Sequence, residues 1–399
     1  MNENPCGEKE YRHGGDVYSR QVDLDYSANI NPLGLPRGVK EEILKCVREE
    51  EVCCIYPDSA CRGLCRDLAK AHGVPEEWII CGNGAADLIF VLAAALRPKR
   101  ALVPAPSFLE YNQALAAAGC VTDLFYLKEE EGFELSAEKL AEKIRRAAGE
   151  QKGYDILFLC NPNNPTGIPV SGETLRFLAE VCGSCKTFLV VDECFCDFLP
   201  EPEKYSVTDS LGVFSNLFVL KAFTKLYAMA GMRLGYGICK DGELLRRMNR
   251  LRQPWPVSGL AQRAGQAALK EKEYVERARS LIGRERERMR GELQRLGFQV
   301  YPSLANYLFF RDRTLSVGQS RERADVRNLQ TGETAWLYHA LLEKKVLIRS
   351  CGNYPGLDNS YYRICIRTAE ENERFLSVLK QVLWERGEGK GEQKWQNQL

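Results

Sequence analysis

The chain has 399 residues, enough for one large domain and a smaller companion. Its charges balance to a net +1, which offers no field to nucleic acid or an anionic membrane, and its 45% hydrophobic fraction is that of a soluble globular protein. The longest apolar run, residues 88–96, is too short to cross a bilayer, and residues 1–12 hold no apolar export segment, so a cytoplasmic protein is expected.

Residues 1–36 read as an extended arm, because Asn29, Asn31, Pro32, Gly34 and Pro36 forbid a long helix. Amphipathic helices are predicted over 38–51 and 58–71. A short strand at 78–81 and a helix over 85–96 follow, joined by a glycine-rich turn. From residue 100, predicted strands at 100–103, 121–126, 156–160, 187–191, 217–221 and 236–239 alternate with helices at 108–118, 136–148 and 172–182. Short apolar strands separated by longer helices are the pattern of a parallel sheet with crossover helices. The expected large domain spans 37–259.

After residue 260 the texture changes to a charged, nearly continuous helix over 260–296, with Gly283 as the predicted break. Strands at 299–301, 307–310, 347–349 and 362–366, separated by helices at 335–344 and 370–384, make a smaller α+β domain over 260–399. Residues 311–333 are charged and apolar-poor and read as a surface loop; the tail from Glu385 reads as frayed.

Sixteen cysteines without an export signal read as buried or incidental thiols rather than a disulfide framework. Cys182-x-x-Cys185 has no second pair to complete a zinc site, and only His13, His72 and His339 are present, so no metal is expected.

Three features share one order. Asn161-Pro162-Asn163-Asn164-Pro165-Thr166-Gly167 follows a buried strand. Asp192-Glu193 ends the next. Thr224-Lys225 is followed by Gly231-Met232-Arg233-Leu234-Gly235. In an open parallel sheet such strand ends are where ligands bind. An aldehyde cofactor needs a lysine able to form a Schiff base, which Lys225 supplies. A carboxylate paired with a pyridinium nitrogen keeps the ring an electron sink, and Asp192 fits. Asn164 can donate to a ring hydroxyl. A phosphate needs backbone N–H groups at a helix start, which Gly84, Ala85 and Ala86 offer, with Thr224 and Arg233 adding a hydroxyl and a cation.

These residues resemble the fold-type I enzymes that use pyridoxal 5′-phosphate (PLP). Within them the chain is similar to the threonine-phosphate decarboxylase branch of the histidinol-phosphate aminotransferase-like enzymes, from about residue 13 to 382. The likeness is carried by His13-Gly14-Gly15, by Ser27-Ala28-Asn29-Ile30-Asn31-Pro32-Leu33-Gly34, by Phe195 where many aminotransferases have a cofactor-bonding tyrosine, by Gln253-Pro254-Trp255, and by the segments 347–357 and 363–368. Asp16, Val257-Ser258 and the length of 311–333 depart from the pattern.

The resemblance implies an aspartate-aminotransferase-like α/β large domain with a mostly parallel seven-stranded sheet between helices. It implies that Phe108 stacks on the PLP ring and that Tyr56 reaches the phosphate of a neighbouring subunit, which makes a homodimer with shared sites. Arg363 would grip the substrate carboxylate, with Arg349 and His13 on a distal phosphate and Asn31 lining the same pocket. The implied reaction is decarboxylation of an O-phosphorylated amino acid, most simply L-threonine O-3-phosphate, in cobalamin biosynthesis. Two alternatives stay open: an aminotransferase for histidinol phosphate or an aromatic amino acid, and a decarboxylase of serine phosphate or another acidic amino acid.

Overall fold

The computed structural model of the protein describes residues 14–313 and 335–387. His13 and most of the expected 311–333 loop lie outside the described residues.

The arm contributes β1 (Leu24–Asp25), which pairs in parallel with residues 346–347. Seven strands then build the central sheet: β2 (Ile79–Gly82), β3 (Arg100–Ala105), β4 (Val121–Tyr126), β5 (Ile156–Cys160), β6 (Phe188–Asp192), β7 (Leu217–Ala222) and β8 (Gly235–Cys239). Their order is β2-β8-β7-β6-β5-β3-β4. All neighbours run parallel except β8, which is antiparallel to both β7 and β2.

Strand alternation sets the layers, because successive side chains leave opposite faces. Leu157, Leu159, Leu189, Val191, Leu217 and Val219 face one apolar cluster, shared with the helices Arg62–His72, Ala137–Gly149 and Gly172–Ser184. Ile156, Phe158, Val190, Phe218 and Leu220 face another, shared with Ala85–Leu96, Glu110–Ala117 and Gly242–Leu251. Both faces are covered, which is why these strands read as unbroken apolar runs.

A second, antiparallel sheet is made by β9 (Gln299–Val300), β10 (Tyr307–Arg311), β12 (Arg349–Ser350) and β13 (Tyr361–Cys365), in the order β12-β13-β10-β9; β11 (Val346–Leu347) instead pairs the arm. The helices Lys272–Arg295, Trp336–Glu343 and Ala369–Gly387 pack on it. Leu24 and Tyr26 of the arm join this core, together with Phe195, Phe198 and Leu226 from the loops after β6 and β7. The arm therefore ties the smaller sheet to the loops of the larger one.

Three expectations change. Gly283 does not break a helix; it lies inside Lys272–Arg295, where a Cβ would meet open space. The break falls at 269–271 instead. The helix Gly259–Ala268 buries Ala261, Ala264 and Ala268 in the core of the large sheet, whereas the next helix buries Ala278, Ile282, Met289 and Leu293 against the small sheet. One straight helix cannot serve both. The helix Gly242–Leu251 was not anticipated, although Asp241 caps it, its Oδ1 accepting from the N–H groups of Glu243 and Leu244, both at 3.0 Å. The last helix runs to Gly387, past the expected fraying point.

Candidate active site

The sequence-predicted groups converge where the loops leave β2, β5, β6 and β7. Asp192 ends β6 and is only 4% exposed. Its Oδ1 accepts from the Cys194 N–H at 3.0 Å, and its Oδ2 accepts from the Tyr111 hydroxyl at 2.7 Å. Burial raises its pKa, and those hydrogen bonds oppose the rise. Lys225 lies half-buried in the short helix Phe223–Leu226 directly after β7, beside buried Thr224. Burial lowers its pKa, and the Arg363 guanidinium lowers it further. A neutral, nucleophilic amine is favoured by both effects.

The loop after β5 is folded by Asn161, whose Nδ2 donates to the carbonyls of Val170 at 3.1 Å and Tyr205 at 2.7 Å. This presents Asn164, buried, with its Oδ1 accepting from Arg363 Nη1. The Asn164 amide nitrogen is thereby turned away from Arg363 and left to donate elsewhere.

At the β2 end, Gly84 takes φ +81° and opens the helix Ala85–Leu96 with no side-chain cap, leaving the first N–H groups to another acceptor. A Cβ on Gly84 would sit 2.6 Å from Arg233 Nη2, so the guanidinium lies directly over this turn. Arg233 precedes β8. Because β8 is antiparallel, its amino end meets the carboxyl ends of its neighbours, which brings Arg233 to the same edge of the sheet as the other motifs. Phe108 is half-buried and meets Tyr111 edge-on at 5.5 Å.

On the opposite side stand Arg363 and Arg349, direct cross-strand partners on β13 and β12, hence on the same face. They are 6% and 8% exposed. Arg363 Nη2 donates to the Ser27 carbonyl at 2.8 Å, and its buried Nε has no acceptor among the described residues. Arg349 donates to the Ser350 carbonyl at 2.7 Å and to Asn353 Oδ1 at 2.8 Å, 5.2 Å from the Tyr354 ring. Among the described residues no carboxylate is paired with either guanidinium. Two buried cations side by side without counter-ions call for an anionic ligand.

Other sequence candidates lie differently. Tyr56 is 76% exposed and stacks on Trp255 at 4.3 Å. Asn31 spends its amide on the backbone, donating to the Leu226 carbonyl at 2.7 Å and accepting from the Leu33 N–H at 3.1 Å. It steadies the chain just after Lys225. His13 lies outside the described residues. Its neighbour Gly14 packs so closely that a Cβ would be 2.3 Å from the Ser27 carbonyl, the acceptor of Arg363.

The donor set fits PLP. Arg233 and the uncapped helix could hold the phosphate, Asp192 the ring nitrogen and Lys225 the aldehyde carbon. Residues 21–379 match the family model for aminotransferase class I and II. The chain belongs to this family. Threonine-phosphate decarboxylase of Salmonella typhimurium is 38% identical over 382 residues, spanning 93% of this chain and 96% of that protein. Among solved structures, the histidinol-phosphate aminotransferase from Clostridium acetobutylicum has a TM-score of 0.78 at 29% identity, covering 91% of this chain and 99% of its own. That of Sinorhizobium meliloti, in complex with PLP, has a TM-score of 0.76 at 20% identity over 92% and 93% of the two chains. As a member of this aminotransferase family the protein is a PLP-dependent enzyme with the expected fold.

Sequence reasoning passed over Tyr111, which lies three residues beyond Phe108 and so one helical turn away. It also passed over Ser107 and Asn29, each with a buried side-chain oxygen that has no partner among the described residues. Ser107 directly precedes Phe108, and Asn29 lies two residues before Asn31.

Proposed function

We propose that this protein decarboxylates an O-phosphorylated amino acid, most simply L-threonine O-3-phosphate, to (R)-1-amino-2-propanol O-2-phosphate, a step of cobalamin biosynthesis. The observation that carries this reading is the pair Arg349 and Arg363, two buried guanidiniums on one sheet face with no carboxylate paired to either among the described residues. A substrate bearing a carboxylate and a phosphate supplies both missing charges. The 38% identity to a threonine-phosphate decarboxylase supports the same substrate class.

The residues divide the work. Gly84, Ala85, Ala86, Thr224 and Arg233 hold the PLP phosphate, Phe108 packs on the ring, and Asn164 donates to the ring oxygen. PLP supplies the sink for the electron pair left at the substrate Cα. Asp192 keeps that sink strong by remaining an anion beside the ring nitrogen. Lys225, its amine held neutral, would bind the cofactor; once the substrate amine has displaced it, the same group takes up a proton and would return it to Cα in place of the departed CO2. Arg363 takes the carboxylate through its free Nε and, by orienting it, selects the Cα–carboxyl bond over the Cα–H bond. Arg349 takes the substrate phosphate, with His13 as its companion.

The same reading includes a homodimer in the cytoplasm, Tyr56 completing the phosphate site of the partner subunit, and a large domain joined by the arm to a small domain, with the boundary moved from the expected 259/260 to 269–271 because helix Gly259–Ala268 packs in the core of the large sheet. No helix among the described residues is long and apolar enough to cross a membrane. The test is a product analysis. PLP-loaded enzyme given L-threonine O-3-phosphate is expected to release CO2 and no keto acid. A keto acid formed with 2-oxoglutarate would overturn decarboxylation in favour of transamination, and faster turnover of serine phosphate would reassign the substrate.

A further inference from the structure

Asp192 is the buried carboxylate on which the ring chemistry depends, and something must fix its plane and keep it an acceptor. Two side chains touch it, the Cys194 thiol and the Tyr111 phenol, and Tyr111 is the rigid one. The phenol is completely buried and donates to Asp192 Oδ2 at 2.7 Å, while the Cys194 N–H occupies Oδ1. Tyr111 has little freedom to point elsewhere. Its ring is stacked at 4.8 Å and 13° on Phe158 of β5, and its other side meets the edge of Phe108 at 5.5 Å. One rigid aromatic thus touches both residues assigned to the two faces of cofactor recognition, the ring stacker and the ring-nitrogen partner.

We propose that Tyr111 is a positioning residue for Asp192, its phenol fixing the carboxylate and making it a weaker base toward the PLP ring nitrogen. This rests on the PLP site described above. The proton assignment is clear: burial and the charge of Asp192 push the phenol pKa well up, so Tyr111 is the donor. The titratable groups around the pair include Cys160 at the end of β5, Cys194 in the loop after β6, Tyr307 on β10 and Glu110 on the helix of Tyr111. Burial pushes both thiols upward, which keeps them neutral, and Glu110 raises Asp192. The Cys194 thiol, Tyr111 and the Cys194 N–H are the groups that oppose these effects.

The consequence has a sign. A carboxylate that accepts from Tyr111 leaves the proton on the ring nitrogen. A protonated ring withdraws electrons from the nitrogen linking Lys225 to PLP and lowers the pKa of that linkage. In Tyr111→Phe, which keeps the ring and its packing, Asp192 becomes more basic and draws the proton to itself. The visible band of Lys225-linked PLP should then titrate roughly one pH unit higher. The kcat on L-threonine O-3-phosphate should fall on the order of tenfold, with KM held within about twofold. Replacing Tyr111 by 3-fluorotyrosine, a stronger donor of the same shape, should move the midpoint the other way. In an Asp192→Asn background, Tyr111→Phe should move it no further.

An unchanged midpoint in Tyr111→Phe, or an equal shift in the Asp192→Asn background, would overturn the positioning role while the wild-type band stands. A wild-type protein that shows no visible band with PLP would instead overturn the proposed function, and this inference with it.

Discussion

Lys225 gives the sharpest expectation at the level of single residues. Burial and the neighbouring Arg363 guanidinium both lower its pKa. The amine is therefore neutral over a wider pH range than a solvated lysine, and capture of PLP by apoenzyme should speed up with pH and level off below the ordinary lysine range. Removing the positive neighbour makes protonation easier, so Arg363→Gln should shift that midpoint upward; stopped-flow absorbance across pH reads it. Arg349→Gln should act elsewhere. It removes a buried cation assigned to the substrate phosphate, so KM for L-threonine O-3-phosphate should rise on the order of tenfold to a hundredfold, while PLP capture stays unchanged. These roles were legible because the chemistry restricts both residue type and order along the chain: a lysine, a carboxylate, an amide and an arginine, each at a strand end. Tyr111 was not legible in that way. Its meaning depends on Asp192, which lies 81 positions away and meets it only through the packing of helix Glu110–Ala117 on β5 and β6. Sequence likewise shows an amide at Asn31 but not the backbone groups it bonds, the Leu226 carbonyl and the Leu33 N–H.

Two glycines control how whole elements approach the site. Gly84 has φ +81°, and a Cβ would collide with Arg233. Gly84→Ala should therefore displace the guanidinium from the helix start and weaken PLP binding about tenfold or more, measured by fluorescence titration of the apoenzyme. Gly14 governs the arm instead. A side chain there would push against Ser27, whose carbonyl anchors Arg363. Gly14→Ala should raise KM for substrate with PLP affinity unaltered, separating the arm from the cradle. Elements were legible where a local rule governs them. The helix Ala85–Leu96 and the strands Val121–Tyr126 and Ile156–Cys160 have the bounds expected from apolar pattern and turn residues alone. The bend at 269–271 was not, because apolar spacing continues across it and only the partner sheet changes. Nor was the reversed direction of β8, since a strand's own residues do not reveal which way its neighbours run.

Across the molecule, the exposed surface around Tyr56 bears on assembly. Ile55 is 59% exposed, Tyr56 76% and Trp255 43%, and the two aromatic rings stack on each other. Three large apolar side chains clustered in this way favour a partner surface. In the proposed dimer each site takes Lys225 from one subunit and the exposed Tyr56 from the other. Complementation decides this. Lys225→Ala is expected to be inactive and Tyr56→Ala to bind PLP weakly, each alone. Co-refolded in equal amounts, half of the dimers are hybrids, and each hybrid contains one intact and one doubly altered site in a two-fold arrangement. At limiting PLP, activity should recover to about a quarter of wild type. Recovery requires that the missing groups sit on different chains, because if Tyr56 served its own subunit every hybrid site would lack one of them and mixing would add nothing.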